Sequence, residues 1–454
     1  MKSAKFHFAS ALTAQGWQDN VTVVVDPGGL IESVTPGSKD GHHIRGIAVP
    51  AVPNVHSHAH QRFMQGLAEK AGPGADSFWT WREVMYGFAL RLGPEDLEAV
   101  AAQLYVEMLK SGCSVVGEFQ YLHHQPDGTP YDEVAELSLR CLLAAERAGI
   151  GITMLPTLYN YGGFGGQPST TGQRRFVNNA DRFLRIHDTL DRFCAGHPLR
   201  RLGISPHSLR AVTADLLNEV IAATGPESPI HIHVAEQIRE VEDCITWCGK
   251  RPVELLLGSF EVSSRWTAIH ATHMTDDETA GLARSGAVAG LCPTTEANLG
   301  DGIFPAVRYR QVGGMLAIGS DSHISVSPAE DLRMLEYSQR LRDRTRNALA
   351  AGPGQSTGRT LFDAACKGGA RSMVQPVGAL APGFRADMVI LDADHPSLTG
   401  RVADDALDSW IFAGGNPCVK DVIVAGTHIV QDRHHLREEE IARTFRAALT
   451  RLAS

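Results

Sequence analysis

Two histidines separated by one residue are the first feature of this 454-residue sequence that could do chemistry. His56 and His58 follow the short apolar run at 46–49, which is typical of a β-strand close to its end. Side chains two residues apart on a strand point to the same face, so these imidazoles could bind one metal ion. The alternative is a surface turn that happens to contain histidines, and the motif alone does not decide between the two.

Four further predicted strands also end in ionisable side chains. These are, in chain order, His207 with Arg210, His233 with Glu236, His270, and Asp321. Because the carboxyl ends of the strands meet at one face of a parallel barrel, we expect these side chains to lie together. Any one of them could be a core or surface residue, but five strands that end this way favour a functional site.

The residue types predict a hydrolase that uses a metal-bound water. The expected ligands of a single ion are His56, His58, His233 and Asp321. Zinc is favoured, although iron and manganese accept the same ligands, and a bound ion lowers the pKa of its water to about 7. Asp321 is also expected to accept a proton from the attacking water, and Glu236 to protonate a departing nitrogen. His270 is expected to steady the hydroxide or to polarise the bond under attack.

The lysines of the chain bear on the number of metal ions. A two-metal version of such a site often uses a modified lysine as a bridge, but this chain has none between Lys110 and Lys250. A single ion is therefore expected, with Glu118 as the alternative bridge. His231 lies two residues before His233, deeper in the predicted barrel, and is expected to be structural.

The elements that must position these residues alternate between short apolar segments and longer amphipathic ones. The predicted strands are 46–49, 113–119, 151–158, 202–205, 230–234, 267–271, 288–292 and 315–320. Eight strands alternating with helices favour a parallel (β/α)₈ barrel. An open doubly wound sheet is the alternative, but no G-x-G-x-x-G motif follows a strand to support it.

Both ends of the chain contain additional strand-like segments, at 21–25, 30–34, 386–391 and 421–430. The turn at 26–29 predicts a hairpin between the first two of them. We expect residues 1–49 and 375–454 to form a small β-sandwich domain, with a final helix near 441–452. The barrel would then comprise residues 50–374.

Composition excludes several classes of protein. The net charge of −9 argues against nucleic acid or an anionic membrane surface as a partner. No apolar run approaches the roughly 18–20 residues that a membrane span requires. The first residues lack the apolar core of a secretory signal, and the eight cysteines are scattered, which favours reduced thiols in a cytoplasm.

The whole arrangement resembles the amidohydrolase superfamily. Four motifs of this sequence resemble the mononuclear deaminase branch of that superfamily. They are the H-x-H after strand 1, the H-x-x-E after strand 5, His270 after strand 6 and Asp321 after strand 8. The segment at 378–387 is similar to the companion domain of that superfamily. Longer stretches resemble the formimidoylglutamate deiminases, a family of histidine degradation, at 76–83, 163–168, 207–210 and 294–302.

That resemblance implies a metal-dependent enzyme, expected to be a homodimer, that converts N-formimidoyl-L-glutamate and water into N-formyl-L-glutamate and ammonia. The substrate contacts that it implies are Gln61, Arg82, Tyr121, His207 and Arg210. Guanidinium groups match carboxylates in a bidentate way, so the two arginines suit a small dicarboxylate.

Two residues depart from that family, in which phenylalanine is usual at the position of His60 and histidine at that of Gln120. If the first strand stays regular, His60 shares the face of His56 and His58 and could compete for the metal or alter the pocket wall. Gln120 neighbours Tyr121 in a loop that is expected to face the substrate. Deamination of another amidine, a guanidino acid or a nucleobase such as guanine is an alternative activity, although a nucleobase pocket needs a stacking wall. The alternative in which the protein is not an enzyme is a barrel that has no catalytic activity and serves only to bind a ligand.

Overall fold

The computed structural model of the protein describes residues 3–72, 74 and 76–453. Their strands are β1 (Ala4–Thr13), β2 (Gly16–Val25), β3 (Ile31–Thr35), β4 (His42–His43), β5 (Ile47–Pro50), β6 (Val52–Ser57), β7 (Cys113–Gln120), β8 (Gly151–Leu158), β9 (Arg200–Leu202), β10 (Ser205–Pro206), β11 (Ile230–Val234), β12 (Trp266–His270), β13 (Val288–Leu291), β14 (Met315–Ile318), β15 (Met388–Leu391), β16 (Val419–Val424), β17 (Thr427–Gln431) and β18 (His434–His435).

The α-helices are α1 (Phe78–Ala89), α2 (Pro94–Ser111), α3 (Glu136–Ala148), α4 (Ala180–Cys194), α5 (Ala214–Ala223), α6 (Ile238–Cys248), α7 (Pro252–Ser259), α8 (Asp276–Ser285), α9 (Pro293–Leu299), α10 (Ala306–Gln311), α11 (Pro328–Asp343), α12 (Thr357–Met373), α13 (Asp404–Ser409) and α14 (Glu438–Ala453). Short 3₁₀ or π turns lie at Ala59–Met64, Thr171–Gln173, Trp410–Gly414 and Asn416–Cys418.

Parallel strands form a closed ring at the centre of the molecule. One group runs β6–β7–β8 and continues into β9 and β10, and a second runs β11–β12–β13–β14. Parallel bridges join the groups on both sides, between Ile204 and Ile230 and between Ser57 and Asp321. This ring, with helices between its strands, is consistent with the predicted (β/α)₈ barrel.

The first barrel strand is not the predicted one. The apolar run at 46–49 falls in β5, which pairs with β1 and β15 outside the barrel. The barrel position is taken by β6, which pairs with β7 despite Pro53 through a shift of register at that residue. The prediction for 46–49 was therefore right about the strand and wrong about its sheet.

The two chain ends meet in one nine-stranded sheet, in the order β18-β17-β16-β15-β5-β1-β2-β3, with β4 beside β1. Phe8, Val23 and Met388 belong to a separate apolar core on this sheet. The predicted hairpin is confirmed as the antiparallel pair β2–β3, and the strand-like segment at 421–430 lies in a second antiparallel pair, β16–β17. The division of this module into the two layers of a sandwich stays a prediction.

Two predictions about the chain as a whole can be compared with the structure. All eight cysteines are unpaired, as expected for reduced thiols. Among the described residues, no helix combines the length and the apolar character needed to cross a membrane.

Candidate active site

The imidazoles of His56, His58 and His233 converge at the carboxyl end of the barrel. Each offers one ring nitrogen, and the three nitrogens lie within 4.8 Å of one another. His56 Nε2 is 3.0 Å from His233 Nε2, and the two rings are nearly perpendicular. Three buried ring nitrogens at this separation are spaced as donors around one small metal ion would be.

Main-chain carbonyls orient two of these rings. His58 Nδ1 donates to the carbonyl of Phe119 at 2.8 Å, and His233 Nδ1 donates to that of His207 at 2.9 Å. The Nε2 atoms of both rings therefore carry lone pairs that face the centre. Burial lowers the pKa of His56, His58 and His233, which keeps the imidazoles in the neutral form that binds a metal.

Asp321 brings a carboxylate to the same centre. Its Oδ1 is 3.4 Å from Nε2 of His56 and 3.4 Å from Nε2 of His58, and its Oδ2 is 3.8 Å from His270 Nε2. Asp321 and His270 adopt φ angles of 48° and 66°, in the left-handed region that residues with a Cβ rarely occupy. Such backbone strain clusters at functional sites, and the set of three imidazoles and one carboxylate fits a divalent ion such as zinc.

Glu236 and His270 lie beside this cluster. Glu236 Oε1 is 3.9 Å from His270 Nε2. Burial raises the pKa of Glu236 to about 7, although the neighbouring His270 opposes that shift. Burial by itself would lower the pKa of His270, but Glu236, Glu296 and Asp321 together raise it to about 10. A carboxyl group with a pKa close to neutral suits proton transfer.

Two buried carboxylates that sequence reasoning missed support these groups. Glu296 accepts hydrogen bonds from His270 Nδ1 at 3.2 Å and from the Cys292 amide at 2.8 Å. Glu240 accepts from the amides of Ala235 and Glu236, each at 3.2 Å. Glu296 lies within the stretch 294–302 that carries the family resemblance, which is the signal that could have identified it.

One pocket connects this cluster to the residues predicted to contact substrate. Its lining includes all of the predicted contacts, Gln61, Arg82, Tyr121, His207 and Arg210, together with His58, His233, Glu236, His270 and Asp321. Aromatic side chains that sequence reasoning missed complete the walls, among them Phe78, Trp81, Tyr86, Tyr159 and Phe176. Residues predicted from separate parts of the chain thus meet in one cavity.

The two arginines enter the pocket from different segments and lack close anionic partners. Arg82 lies on α1, and Arg210 follows β10. Among the described residues no carboxylate lies within 4.0 Å of the Arg210 guanidinium, and Arg82 has only the exposed Glu83 at 4.0 Å. Burial would lower the pKa of Arg210, but nearby acidic groups raise it overall, so the side chain stays cationic. Free guanidinium groups in a pocket fit a ligand that carries carboxylates.

A polar wall lies beside His58. Gln61 Nε2 donates to the hydroxyl of Tyr121 at 2.8 Å, and the Tyr121 ring lies 5.0 Å from that of His58. The His207 ring is 4.9 Å from that of His233. These groups line the same pocket as the histidine cluster and the arginines.

The structure uses Glu118 and His231 away from the metal cluster. Glu118 accepts hydrogen bonds from the Ser57 hydroxyl at 2.6 Å, the Ala59 amide at 2.7 Å and the Tyr105 hydroxyl at 3.0 Å. It therefore braces the segment that carries the first two histidines instead of bridging metal ions. His231 is fully buried, and its Nε2 donates to the Ser372 carbonyl at 2.9 Å, which confirms the structural role.

His60 and Gln120 do not occupy the positions expected of them. Strand β6 ends at Ser57, and His60 lies in the following 3₁₀ turn with its ring 4.6 Å from that of Tyr121. It therefore belongs to none of the candidate metal clusters in the described residues. The Gln120 amide turns towards the Leu137 carbonyl, at 3.5 Å, and does not line the pocket. The assumption of a regular strand past Ser57 was wrong.

Comparison with known proteins gives the family of the chain. Residues 47–429 match the amidohydrolase family, and the chain belongs to that family. It is 51% identical over 441 residues to the formimidoylglutamate deiminase of Pseudomonas aeruginosa, with 96% of each chain covered. It is 28% identical to a 5-methylthioadenosine/S-adenosylhomocysteine deaminase of Nitratidesulfovibrio vulgaris, with 86% of this chain and 81% of the relative covered.

Two solved structures extend the comparison. An amidohydrolase from Brucella melitensis superposes with a TM-score of 0.94 at 48% identity, covering 99% of this chain and 100% of that one. An adenosine deaminase from Xanthomonas campestris with bound zinc has a TM-score of 0.82 at 20% identity, covering 99% and 98%. At that identity the second likeness shows the fold alone.

Proposed function

We propose that this chain hydrolyses N-formimidoyl-L-glutamate to N-formyl-L-glutamate and ammonia. The observation that carries the proposal is one pocket that joins a His/Asp cluster to two arginines, which have no carboxylate closer than 4.0 Å among the described residues. The name of the Pseudomonas aeruginosa relative, at 51% identity over nearly the whole chain, supports the same reaction. The chain is thereby an enzyme of the hydrolase class that acts on a C–N bond of an amidine.

His56, His58, His233 and Asp321 would hold one divalent ion per subunit, which we propose to be zinc. Neutral imidazoles and a carboxylate are the donors that zinc accepts readily. When bound, such an ion supplies a water that is acidic enough to act as a nucleophile near pH 7. The lack of lysine between Lys110 and Lys250, and the engagement of Glu118 in other hydrogen bonds, support a single ion.

The proposed proton transfers use Asp321, Glu236 and His270. Asp321 accepts a proton from the attacking water, since it lies at the ligand cluster and within 3.8 Å of His270. Glu236 delivers a proton to the departing nitrogen, so ammonia leaves as a neutral molecule. Its pKa of about 7 lets the same carboxyl release and take up a proton at neutral pH. Cationic His270 stabilises the negative charge that develops beside it.

The far end of the pocket would bind the two carboxylates of the substrate. Arg82 and Arg210 supply the guanidinium groups, and each can bind a carboxylate in a bidentate way. Gln61, Tyr121 and His207 would add hydrogen bonds that fix the formimidoyl group relative to Glu236. The aromatic walls exclude water, which strengthens each of these interactions.

The arginines also separate this proposal from a nucleobase deaminase. The aromatic walls could stack on a base, but two guanidinium groups without anionic partners would then face a neutral ligand. Activity on a nucleobase such as guanine that survives Arg82→Met would favour that alternative. A silent binding barrel would contain less than one ion per chain and would not be rescued by added zinc.

The test of the proposed function is a product assay. Purified protein loaded with zinc is incubated with N-formimidoyl-L-glutamate, and ammonia and N-formyl-L-glutamate are measured. The proposal predicts that the two products appear in equal amounts. Formamide and glutamate as products would mean that the other C–N bond is cut, and would overturn it.

The family likeness and the composition of the chain support further proposals about its assembly, location and domains. We propose a homodimer in the cytoplasm with a small dicarboxylate as ligand, and with no nucleic acid or membrane partner. The chain-end sheet is proposed to be the sandwich domain of 1–49 and 375–454, beside a barrel of 50–374. Light scattering of the purified enzyme tests the oligomeric state.

A further inference from the structure

Three arginines surround the indole of Trp79. The guanidinium carbons of Arg82, Arg239 and Arg210 lie 4.5, 4.8 and 5.8 Å from the centre of its ring. They come from α1, from the first turn of α6 and from the segment after β10. One aromatic ring thus contacts cationic groups from three loops of the barrel.

The N-terminal cap of α1 fixes the main chain at Trp79. It lies in the first turn of α1, where its amide donates to the Ser77 hydroxyl at 3.3 Å and the Thr80 hydroxyl accepts from the Ser77 amide at 3.0 Å. This capping box holds the start of the helix. The indole itself does not line the pocket, whereas Arg82 and Arg210 do. Trp79 can therefore act on a ligand only through the arginines.

The three guanidinium groups need a partner that offsets their mutual repulsion. Among the described residues, the carboxylates within ion-pair distance are the exposed Asp243, 3.7 Å from Arg239, and Glu83, 4.0 Å from Arg82. Among the described residues Arg210 has no carboxylate within ion-pair distance. The face of an indole carries negative potential and attracts guanidinium groups within about 6 Å. Glu236 and Glu240 act on the charge of Arg210 from beyond ion-pair distance, whereas the Trp79 ring contacts all three guanidinium groups.

We propose that Trp79 is a positioning residue, which holds Arg82 and Arg210 in the arrangement that binds a dicarboxylate. Arg239, whose side chain is largely exposed, is the third cation of this arrangement and attracts the anionic ligand to the pocket. The inference rests on the proposed function and assigns its carboxylate specificity. Groups held in place before binding lose less conformational freedom when the ligand arrives.

The test compares Trp79→Leu with Trp79→Phe in the zinc-loaded enzyme. Loss of the ring is expected to raise KM for N-formimidoyl-L-glutamate about tenfold, with kcat changed by less than about threefold, because the arginines no longer start in place. Trp79→Phe keeps an aromatic face, and its KM is expected to lie close to that of the wild type. Wild-type KM in Trp79→Leu would overturn the proposal, as would a loss of kcat and metal content with KM unchanged.

Two controls separate the outcomes. Trp247→Leu removes a half-exposed indole that packs on Phe164, and it is expected to leave KM unchanged. Calorimetry with glutarate, a dicarboxylate without a formimidoyl group, tests the arginine arrangement even if the enzyme does not turn over N-formimidoyl-L-glutamate. Glutarate is expected to bind about tenfold more weakly to Trp79→Leu than to the wild type. Equal affinity would overturn the inference independently of the proposed reaction.

Arg239 is tested through salt dependence. Arg239→Met is expected to raise KM about threefold at low salt and to reduce the rise of KM with added salt, since the residue acts through screened charge. An unchanged KM and an unchanged salt dependence would remove Arg239 from the arrangement.

Discussion

The two ends of the pocket are built in different ways. At the metal end, His56, His233 and Asp321 sit at strand ends, are at most 6% exposed, and are oriented by main-chain atoms or by each other. At the carboxylate end, Arg82 and Arg210 are half-buried and contact aromatic rings instead of anions. On the proposed function, the barrel strands hold the reaction centre, and the segments between strands hold the groups that select a ligand.

This difference explains how one fold can serve several deaminations. Positions at strand ends move little, so the same metal cluster can activate water for different substrates. Segments outside the strands tolerate changes of sequence, and specificity is placed there. The relative from Nitratidesulfovibrio vulgaris, named for deaminating an adenosine derivative, is similar over most of this chain at only 28% identity. We expect changes at the two ends to have separable effects.

Removal of the metal should have the largest effect. Treatment with a chelator is expected to lower the rate at least about 10⁴-fold, because no other group in the site can activate water, and added zinc should restore it. Metal analysis and the ammonia assay check this together. Glutarate affinity is the control for the carboxylate end and should change by less than about threefold, since the arginines do not depend on the metal. A rate that persists after full chelation would contradict the account.

Replacement of the proposed general acid comes next. Glu236→Gln is expected to lower kcat about 10³-fold, since an amide cannot deliver the proton that the departing nitrogen requires. The variant should still bind one zinc per chain and should bind glutarate as the wild type does. Stopped-assay kinetics with metal analysis measure both. Rates close to wild type would remove Glu236 from proton transfer.

The carboxylate end is tested by Arg210→Met. Loss of a charge-assisted, bidentate hydrogen bond is expected to raise KM about 10²-fold, while zinc content stays unchanged. A matched control is Arg284→Met, which removes an arginine from the last turn of α8, outside the pocket lining. A variant whose KM equals that of the wild type would show that Arg210 does not contact the substrate.

A smaller effect is expected where Glu118 braces the first two histidines. Glu118→Gln replaces an oxygen that accepts from two hydroxyl groups, those of Ser57 and Tyr105. Zinc affinity is expected to fall about tenfold because the ligand segment is held less firmly. Competition with a metal-binding dye measures the affinity, and unchanged affinity would show that the bracing is unimportant.

The smallest effect on activity is expected at His60. Among the described residues neither of its buried ring nitrogens has a hydrogen-bond partner, and the residue lies outside the pocket lining. His60→Phe should leave kcat/KM within about twofold and should raise stability by about 1 kcal/mol, because two unpaired polar atoms are removed. Urea unfolding measures the stability. A large loss of activity would show that His60 takes part in the site.

Much of the barrel could be predicted because buried parallel strands are short, apolar and bounded by polar turns. The predicted limits of β8 and β11 equal the observed ones. The first strand could not be assigned to its sheet, because residues 47–57 are buried throughout and contain two short strands in succession. A pattern of apolar residues predicts that a strand is buried, but it does not predict which sheet the strand joins.

The clustering of the predicted ligand residues could be predicted because each lies at or just past the end of a strand, and their role as ligands stays a prediction. The bracing carboxylates Glu240 and Glu296 could not, because a glutamate within a helix is usually exposed and pattern alone does not show that it points inwards. The contact of Trp79 with three arginines could not be predicted for a related reason. Its contacts join three segments that lie far apart in sequence, and only the folded chain brings them together.

The most direct test of the division between the two ends is a comparison of kcat/KM for N-formimidoyl-L-glutamate and N-formimidoylglycine, which has one carboxylate fewer. We predict that the zinc-loaded wild type prefers the dicarboxylate by about 10²-fold or more, as expected for one charged hydrogen-bonded contact. The double variant Arg82→Met/Arg210→Met should keep one zinc per chain and turn over both compounds with similar kcat/KM. A preference that survives both substitutions, or its absence in the wild type, would contradict the account.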